Sequence, residues 1–266
     1  MVTATTSFAA RLQAAVRATG SMLCLGLDPD GVATAAEAER LCHSLLDAAL
    51  PEVCAVKPNL AFFERFGSAG YAVVERLRDQ VPSDRLLIID GKRGDIANTA
   101  SAYAAALFDV LGADAVTVNP LMGRDSVEPF LSRPGRGVFL LARTSNPGAS
   151  DFLLRTNGQT GATLAETIVD TALGWDAAGG TIGFVVGATA PDAVAGVRRR
   201  APEAPLLVPG VGAQGGDLEA TVAAARGSGT GCTVLAVSRG IAAARQGPAA
   251  AARELRERIA AASASA

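Results

Sequence analysis

Short, near-continuous apolar runs alternate along the chain with longer segments whose apolar positions recur every three to four residues. The runs lie at 22–27 (MLCLGL), 52–57 (EVCAVK), 85–90 (RLLIID), 115–120 (AVTVNP), 137–142 (GVFLLA), 181–186 (TIGFVV), 205–210 (PLLVPG) and 233–238 (TVLAVS). Strands that lack apolar–polar alternation are covered on both faces, as in a parallel sheet wrapped by helices. Helical periodicity falls at 35–50, 68–80, 97–111, 124–132, 161–178, 191–200, 216–225 and 248–262. Eight strand–helix units share the residues beyond position 20 at roughly 31 residues per unit, the span of a βα repeat. The pattern predicts an α/β fold, a (β/α)8 TIM barrel over residues 1–266 as a single domain, rather than an open doubly wound sheet. An extra N-terminal helix fits within residues 1–20, capped by Ser7 and running through FAARLQAAVRA to Gly20. Residues 143–160 form the longest irregular stretch, where a lid or functional loop is expected. The end of the chain, 260–266, is expected to fray.

Composition narrows the chemistry. The 266 residues carry a formal net charge of −2, so no basic footprint argues for nucleic acid or a membrane surface as partner. No apolar run approaches the roughly 18 residues of a membrane span. The first 27 residues contain no acid and include Arg11 and Arg17, as transit peptides do, but the Ser7-capped helix accounts for them better. With no secretory apolar region either, a cytoplasmic location is expected. The one histidine, His43, sits in the helical LCHSLL and reads as a satisfied helix residue; a three-histidine zinc site is impossible. Cys24, Cys42, Cys54 and Cys232 lack metal-site spacing and read as free thiols in a reducing compartment.

A barrel of this kind carries its chemistry at the carboxyl ends of its strands. The polar residues there are Asp28, Lys57, Asp90, Lys92, Asp95, Asn119, Thr144, Ser145, the 209–216 loop, Ser238 and Arg239. Asp90 and Lys92 are two apart and are expected to project to one face at the strand end. Asp95 follows at the turn into the next helix, where a plain N-cap is an equally good reading. The basic residues number 24, yet the only two lysines, Lys57 and Lys92, both fall at this mouth. Lysine, unlike arginine, releases a proton at accessible pH. The 22 arginines are expected mostly at the surface, with Arg239 the exception.

The segment PGVGAQGGD (209–217) matches the dinucleotide fingerprint by its spacing but lacks the acid about 20 positions on, so that reading is rejected. Glycines 210, 212, 215 and 216 instead suit close approach of backbone N–H groups to an anion, and Arg239 in VSRGI supplies a charged partner from the eighth strand. Phosphate is the favoured ligand group.

With these motifs in view, the sequence resembles the orotidine 5′-phosphate decarboxylase family over nearly its whole length. Asp90, Lys92, Asp95 and Ile96 match its Asp-x-Lys-x-x-Asp-Ile element; Lys57 in AVKPN, Pro209 and Gln214 in PGVGAQGG, and Arg239 in VSRGI follow in the expected order. The wording of VKPN-AFFE, DGKRGDI and TSNPG is similar to the bacterial subgroup with longer loops. The resemblance implies decarboxylation of orotidine 5′-phosphate to uridine 5′-phosphate without a cofactor or metal. It implies that Lys92 protonates C6, that Asp90 orients Lys92, and that Asp28 and Lys57 contact the ribose. It further implies a homodimer in which Asp95 and Thr99 serve the partner's site, with Ile96 a substrate-binding position. Ser145 matches the residue reading the pyrimidine edge, though Thr144 beside it leaves the register open. Pro209, Gln214 and Gly215 belong to the phosphate and base region, and Arg239 binds phosphate. The rivals are a Mg²⁺-dependent sugar-phosphate decarboxylase or aldolase on the same barrel, and a non-catalytic barrel that only binds phosphate ligands.

Overall fold

Each apolar run becomes a strand hydrogen-bonded to its sequence neighbours on both sides. In the computed structural model, which describes residues 5–212, 215–227 and 229–264, β1 (Leu23–Leu27), β2 (Ala55–Pro58), β3 (Leu86–Arg93), β4 (Ala115–Val118), β5 (Gly137–Arg143), β6 (Thr181–Val186), β7 (Leu206–Pro209) and β8 (Thr233–Val237) close into a parallel barrel in chain order. The closing pair is β8 with β1, Leu23 lying opposite Leu235. This is the (β/α)8 TIM barrel.

The principal outer helices are α2 (Ala35–Ala49), α4 (Ser68–Gln80), α5 (Ala97–Ala105), α6 (Arg124–Leu131), α8 (Leu164–Leu173), α9 (Pro191–Arg200), α10 (Leu218–Ala224) and α12 (Pro248–Ala264). α1 (Phe8–Thr19) precedes the barrel, and three single turns were not foreseen: α3 (Ala61–Glu64), α7 (Ala149–Phe152) and α11 (Arg239–Ala242). The helix expected over 97–111 continues past α5 as a π-helical turn, Ala106–Val110. The stretch 143–160, read as irregular, holds α7 and a bridge between Thr156 and Thr163.

Two apolar layers hold the fold. One lies between strands and outer helices and includes Leu25, Val56, Ile89, Val118 and Phe184. The other fills the barrel interior, where Cys24, Cys54, Ile88 and Phe139 pack against Phe8, Leu12 and Ala15 of α1. The Ser7 hydroxyl accepts the Ala10 N–H, and left-handed Gly20 ends the helix. Phe8 meets Phe139 edge to face at 5.8 Å. Helix α1 thus plugs the amino-terminal end of the barrel and leaves the carboxyl end as its open mouth.

Two charged residues at that closed end bind elements together. Asp114 receives Arg11 at 2.5 Å and Arg78 at 3.1 Å, and accepts the Leu87 N–H. Arg198 corrects the expectation of surface arginines: it is 1% exposed and donates to the carbonyls of Ala201, Pro202, Ala204, Ala225 and Cys232 and to the Thr233 hydroxyl. Ala201 and Ala225 end α9 and α10, so the guanidinium satisfies carbonyls that helix termini leave open. Arg239, singled out from sequence as the exception, is exposed. Within the described residues α12 is helical to Ala264, with Ile259 buried and the Ala262 carbonyl taken by Arg226.

Candidate active site

The strand ends bring Lys57, Asp90 and Lys92 together at the mouth. Lys57 Nζ donates to Asp90 Oδ2 at 2.9 Å, and Lys92 Nζ donates to Asp90 Oδ1 at 2.6 Å. Asp90 and Lys57 are 9% and 6% exposed, whereas the Lys92 side chain is 47% exposed. The carboxylate therefore lies beneath the surface between two ammonium groups, one sealed and one facing the cavity. Burial by itself would raise the Asp90 pKa, but Lys57 and Lys92 outweigh it and hold the carboxyl well below the ordinary range. Burial likewise works against the Lys57 ammonium, and the Asp90 and Asp28 charges overcome it, keeping that pKa above the usual lysine value.

The path to this arrangement differs from a plain strand. Lys92 has φ of 45°, in the left-handed region that non-glycine residues avoid. Pairing of β3 with β4 runs through Ile89 and Val116 and resumes only at Arg93 and Val118, so Asp90–Lys92 bulge opposite the single residue Thr117. The two side chains meet across this bulge instead of through simple two-residue alternation. Arg93, next in line, is turned away toward Glu64 and the Tyr71 hydroxyl, and it stacks over Tyr103.

Above the ion pairs lies a cavity of about 370 Å³ lined by Asp28, Lys57, Asp90, Lys92, Thr144, Ser145 and Pro209 among others. Asn59, Thr117, Leu141, Asn146, Val185 and Leu207 also line it and were not foreseen. Leu141, Val185 and Leu207 come from three successive strands, Leu141 opposite Val185 and Val185 opposite Leu207, and form an apolar wall. The Thr144 hydroxyl donates to Asn146 Oδ1 at 2.7 Å. Gly187 lets the next loop pass close: a Cβ there would lie 2.7 Å from that of Ser145. Among the described residues the buried Asp28 Oδ1 has no hydrogen-bond partner, an acceptor left open at the cavity.

A smaller cavity of about 70 Å³ shares Asp28, Lys57 and Pro209 with the first and extends it to Gly210, Ser238 and Arg239. Gly26 permits this contact, because a Cβ there would sit 2.7 Å from that of Ser238. The glycine loop behaves differently from the expectation that its amides face an anion. Gly212 N–H donates to Gly216, Gly215 N–H to Gly212 and Gly216 N–H to Gly210, so those three close the loop on itself. Gln214 lies outside the described residues.

Three expected site residues are not brought to this cavity by their own chain. Asp95, Ile96 and Thr99 lie at the start of α5 and do not line it. Asp95 Oδ1 accepts the adjacent Ile96 N–H, and α5 begins without a side-chain cap, which removes the N-cap reading. His43 is satisfied as expected, its Nε2 lying 2.6 Å from Gln80 Nε2. The four cysteines are free, and burial pushes Cys24 and Cys42 up to about 12. Among the described residues no cluster of three or more His, Cys, Asp or Glu side chains could hold a metal ion, and no helix is long and apolar enough to cross a membrane.

A family model described as orotidine 5′-phosphate decarboxylase / HUMPS matches residues 21–255. An orotidine 5′-phosphate decarboxylase from Thermomicrobium roseum is 44% identical over 242 residues, spanning 88% of this chain and 86% of that protein. One from a Roseiflexus species is 48% identical over 236 residues, 85% of each chain. The solved structure of Leishmania donovani OMP decarboxylase superposes with a TM-score of 0.89 at 42% identity, covering 98% of this chain and 100% of that one.

Proposed function

Since the chain belongs to the orotidine 5′-phosphate decarboxylase / HUMPS family, we propose that it converts orotidine 5′-phosphate to uridine 5′-phosphate and CO2 as a carboxy-lyase of pyrimidine nucleotide biosynthesis, with Lys92 donating the proton to C6 and no cofactor taking part. The observation that carries this reading is the half-exposed Lys92 ammonium, fixed on the buried Asp90 carboxylate at 2.6 Å and aimed into a cavity with an apolar wall. As the bond from C6 to the carboxylate carbon breaks, its electron pair stays on C6. Lys92 stabilises that charge and delivers its proton there to form the C–H bond; the neutral amine then regains a proton from solvent. Leu141, Val185 and Leu207 keep water from the leaving group, which strengthens every charge interaction in the site.

Asp28 suits a ribose hydroxyl, because its buried Oδ1 lacks a donor. Lys57 assists there and fixes Asp90, while Thr144 or Ser145 reads the pyrimidine edge. Arg239, with Pro209 and the 210–216 loop including Gln214 and Gly215, takes the phosphate. Both oxygens of Asp90 are held by cationic nitrogens, an arrangement that competes with Mg²⁺ and favours the decarboxylase over its metal-dependent sibling.

The working unit in this reading is a homodimer. Asp95 and Thr99 lie off their own cavity, and Ile96, Leu121 and Met122 beside the mouth are 49%, 58% and 50% exposed. Such an apolar rim suits a second copy that receives Asp95 and Thr99 into its site. Free, mostly buried thiols suit the cytoplasm. The test incubates the purified protein with orotidine 5′-phosphate and a chelator and follows uridine 5′-phosphate and CO2. Stoichiometric product is expected. No product there, with turnover of a pentulose or hexulose phosphate on adding Mg²⁺, would transfer the assignment to the sibling chemistry.

A further inference from the structure

We infer that Thr117, on β4, is a positioning residue that holds the Asp90–Lys92 pair in its reactive geometry; this rests on the decarboxylase reading above. Thr117 is 1% exposed. Its hydroxyl donates to Asp90 Oδ1 at 2.9 Å and accepts the Lys92 backbone N–H at 3.0 Å. A hydroxyl has a single proton. Because Lys92 N–H points at the oxygen, that proton is directed to the carboxylate, and the polarity of the bridge is set. The side chain therefore ties together the residue that orients the ammonium and the backbone of the residue that carries it.

The need for this tie lies in the bulge. Asp90, Gly91 and Lys92 have no ladder partner on β4 and lie opposite Thr117, and Lys92 holds the left-handed φ of 45°. A left-handed non-glycine residue is strained and persists only where its surroundings hold it. The Thr117 hydroxyl stands in for the missing strand hydrogen bond at that residue. No sequence motif marks this position: within AVTVN it reads as one more strand residue.

Thr117→Val keeps the shape and removes the bridge. A displaced ammonium of ~1 Å is enough to lower turnover by roughly 100-fold. Loss of kcat by about 10- to 100-fold with KM changed less than about threefold is expected, since the ribose and phosphate contacts do not pass through Thr117. Thr117→Ser, which restores the hydroxyl, should return kcat to within about threefold of the parent. Lys92→Ala is measured alongside. If Lys92→Ala keeps full turnover, the underlying reading of the site fails. If Lys92→Ala is inactive while Thr117→Val retains the parent kcat, or if Thr117→Ser fails to rescue, the positioning role is overturned. Should Thr117→Val not fold, Thr117→Cys, with a weak donor of similar size, decides in the same way: reduced kcat supports the role and parent kcat ends it.

Discussion

Lys57 and Lys92 both bind Asp90, yet their removal should have opposite consequences, one for stability and one for chemistry. The Lys57–Asp90 contact is 2.9 Å with both side chains nearly sealed, 8% and 11% exposed. At an effective dielectric of about 20 the gross attraction is roughly 6 kcal/mol. Removing one member of such a buried pair costs about 3–5 kcal/mol, because the other charge stays uncompensated. Lys92 still offsets part of the Asp90 charge, so Lys57→Met is expected near the lower end, about 3 kcal/mol, or a Tm lowered by roughly 6–12 °C at this chain length. Lys92 lies in a high dielectric with its side chain half exposed, so Lys92→Met should cost less than about 1 kcal/mol. The pH dependence follows the same logic. Asp90 is depressed in the folded state, so its contribution is complete above the ordinary aspartate pKa of about 4 and is lost as pH falls through its folded value. Lys57→Met removes the leading cationic cause of that depression, and acid unfolding should move to higher pH. Urea denaturation and thermal unfolding at pH 7, repeated from pH 6 to 2, measure both effects. Equal destabilisation by the two variants, or a neutral Lys57→Met, would refute the buried-versus-facing assignment of the lysines.

Arg239→Ala should weaken uridine 5′-phosphate binding by at least about 10-fold while leaving uridine nearly unchanged, as calorimetry would register; equal losses would remove the phosphate assignment. Mixing Lys92→Ala with Asp95→Asn protein should regain on the order of a quarter of parent activity, because half the dimers then hold one intact site. No recovery after verified subunit exchange would place Asp95 in its own chain's site. Arg198→Met should lower stability by about 3 kcal/mol or more in urea, through orphaned carbonyls ending α9 and α10, with KM unchanged; a stable variant would show those carbonyls satisfied otherwise.

Much of this molecule was readable because its apolar runs carry a strong period. The strand at 181–186 and the helices at 68–80 and 191–200 coincide with their observed bounds, and the α1 cap follows from Ser7 and Gly20. Charged site residues were legible for a different reason: Lys57 and Lys92 are scarce residue types at strand ends. Leu141, Val185 and Leu207 stayed hidden because an apolar residue that lines a cavity has the same pattern as one that fills a core. Thr117 was hidden because its role depends on a bulge, and a bulge depends on cross-strand register, which local periodicity does not encode. Arg198 sat inside a run of three arginines that resembles a solvated helix end. A helical stripe through Val194, Val197 and Arg198 was the available signal, overridden by the rarity of buried arginine. Short turns such as α3 and α11 fall below the length at which a 3.6-residue period can be seen.

The proposed decarboxylation rests on the Asp90-anchored Lys92 ammonium. Its most direct measurement is the turnover of orotidine 5′-phosphate by Lys92→Ala beside the affinity of the same variant for uridine 5′-phosphate. Turnover should fall by at least about 10⁴-fold, the combined loss of proton donation and charge stabilisation, with affinity within about 10-fold of the parent. A variant that keeps its turnover would remove Lys92 from the chemistry.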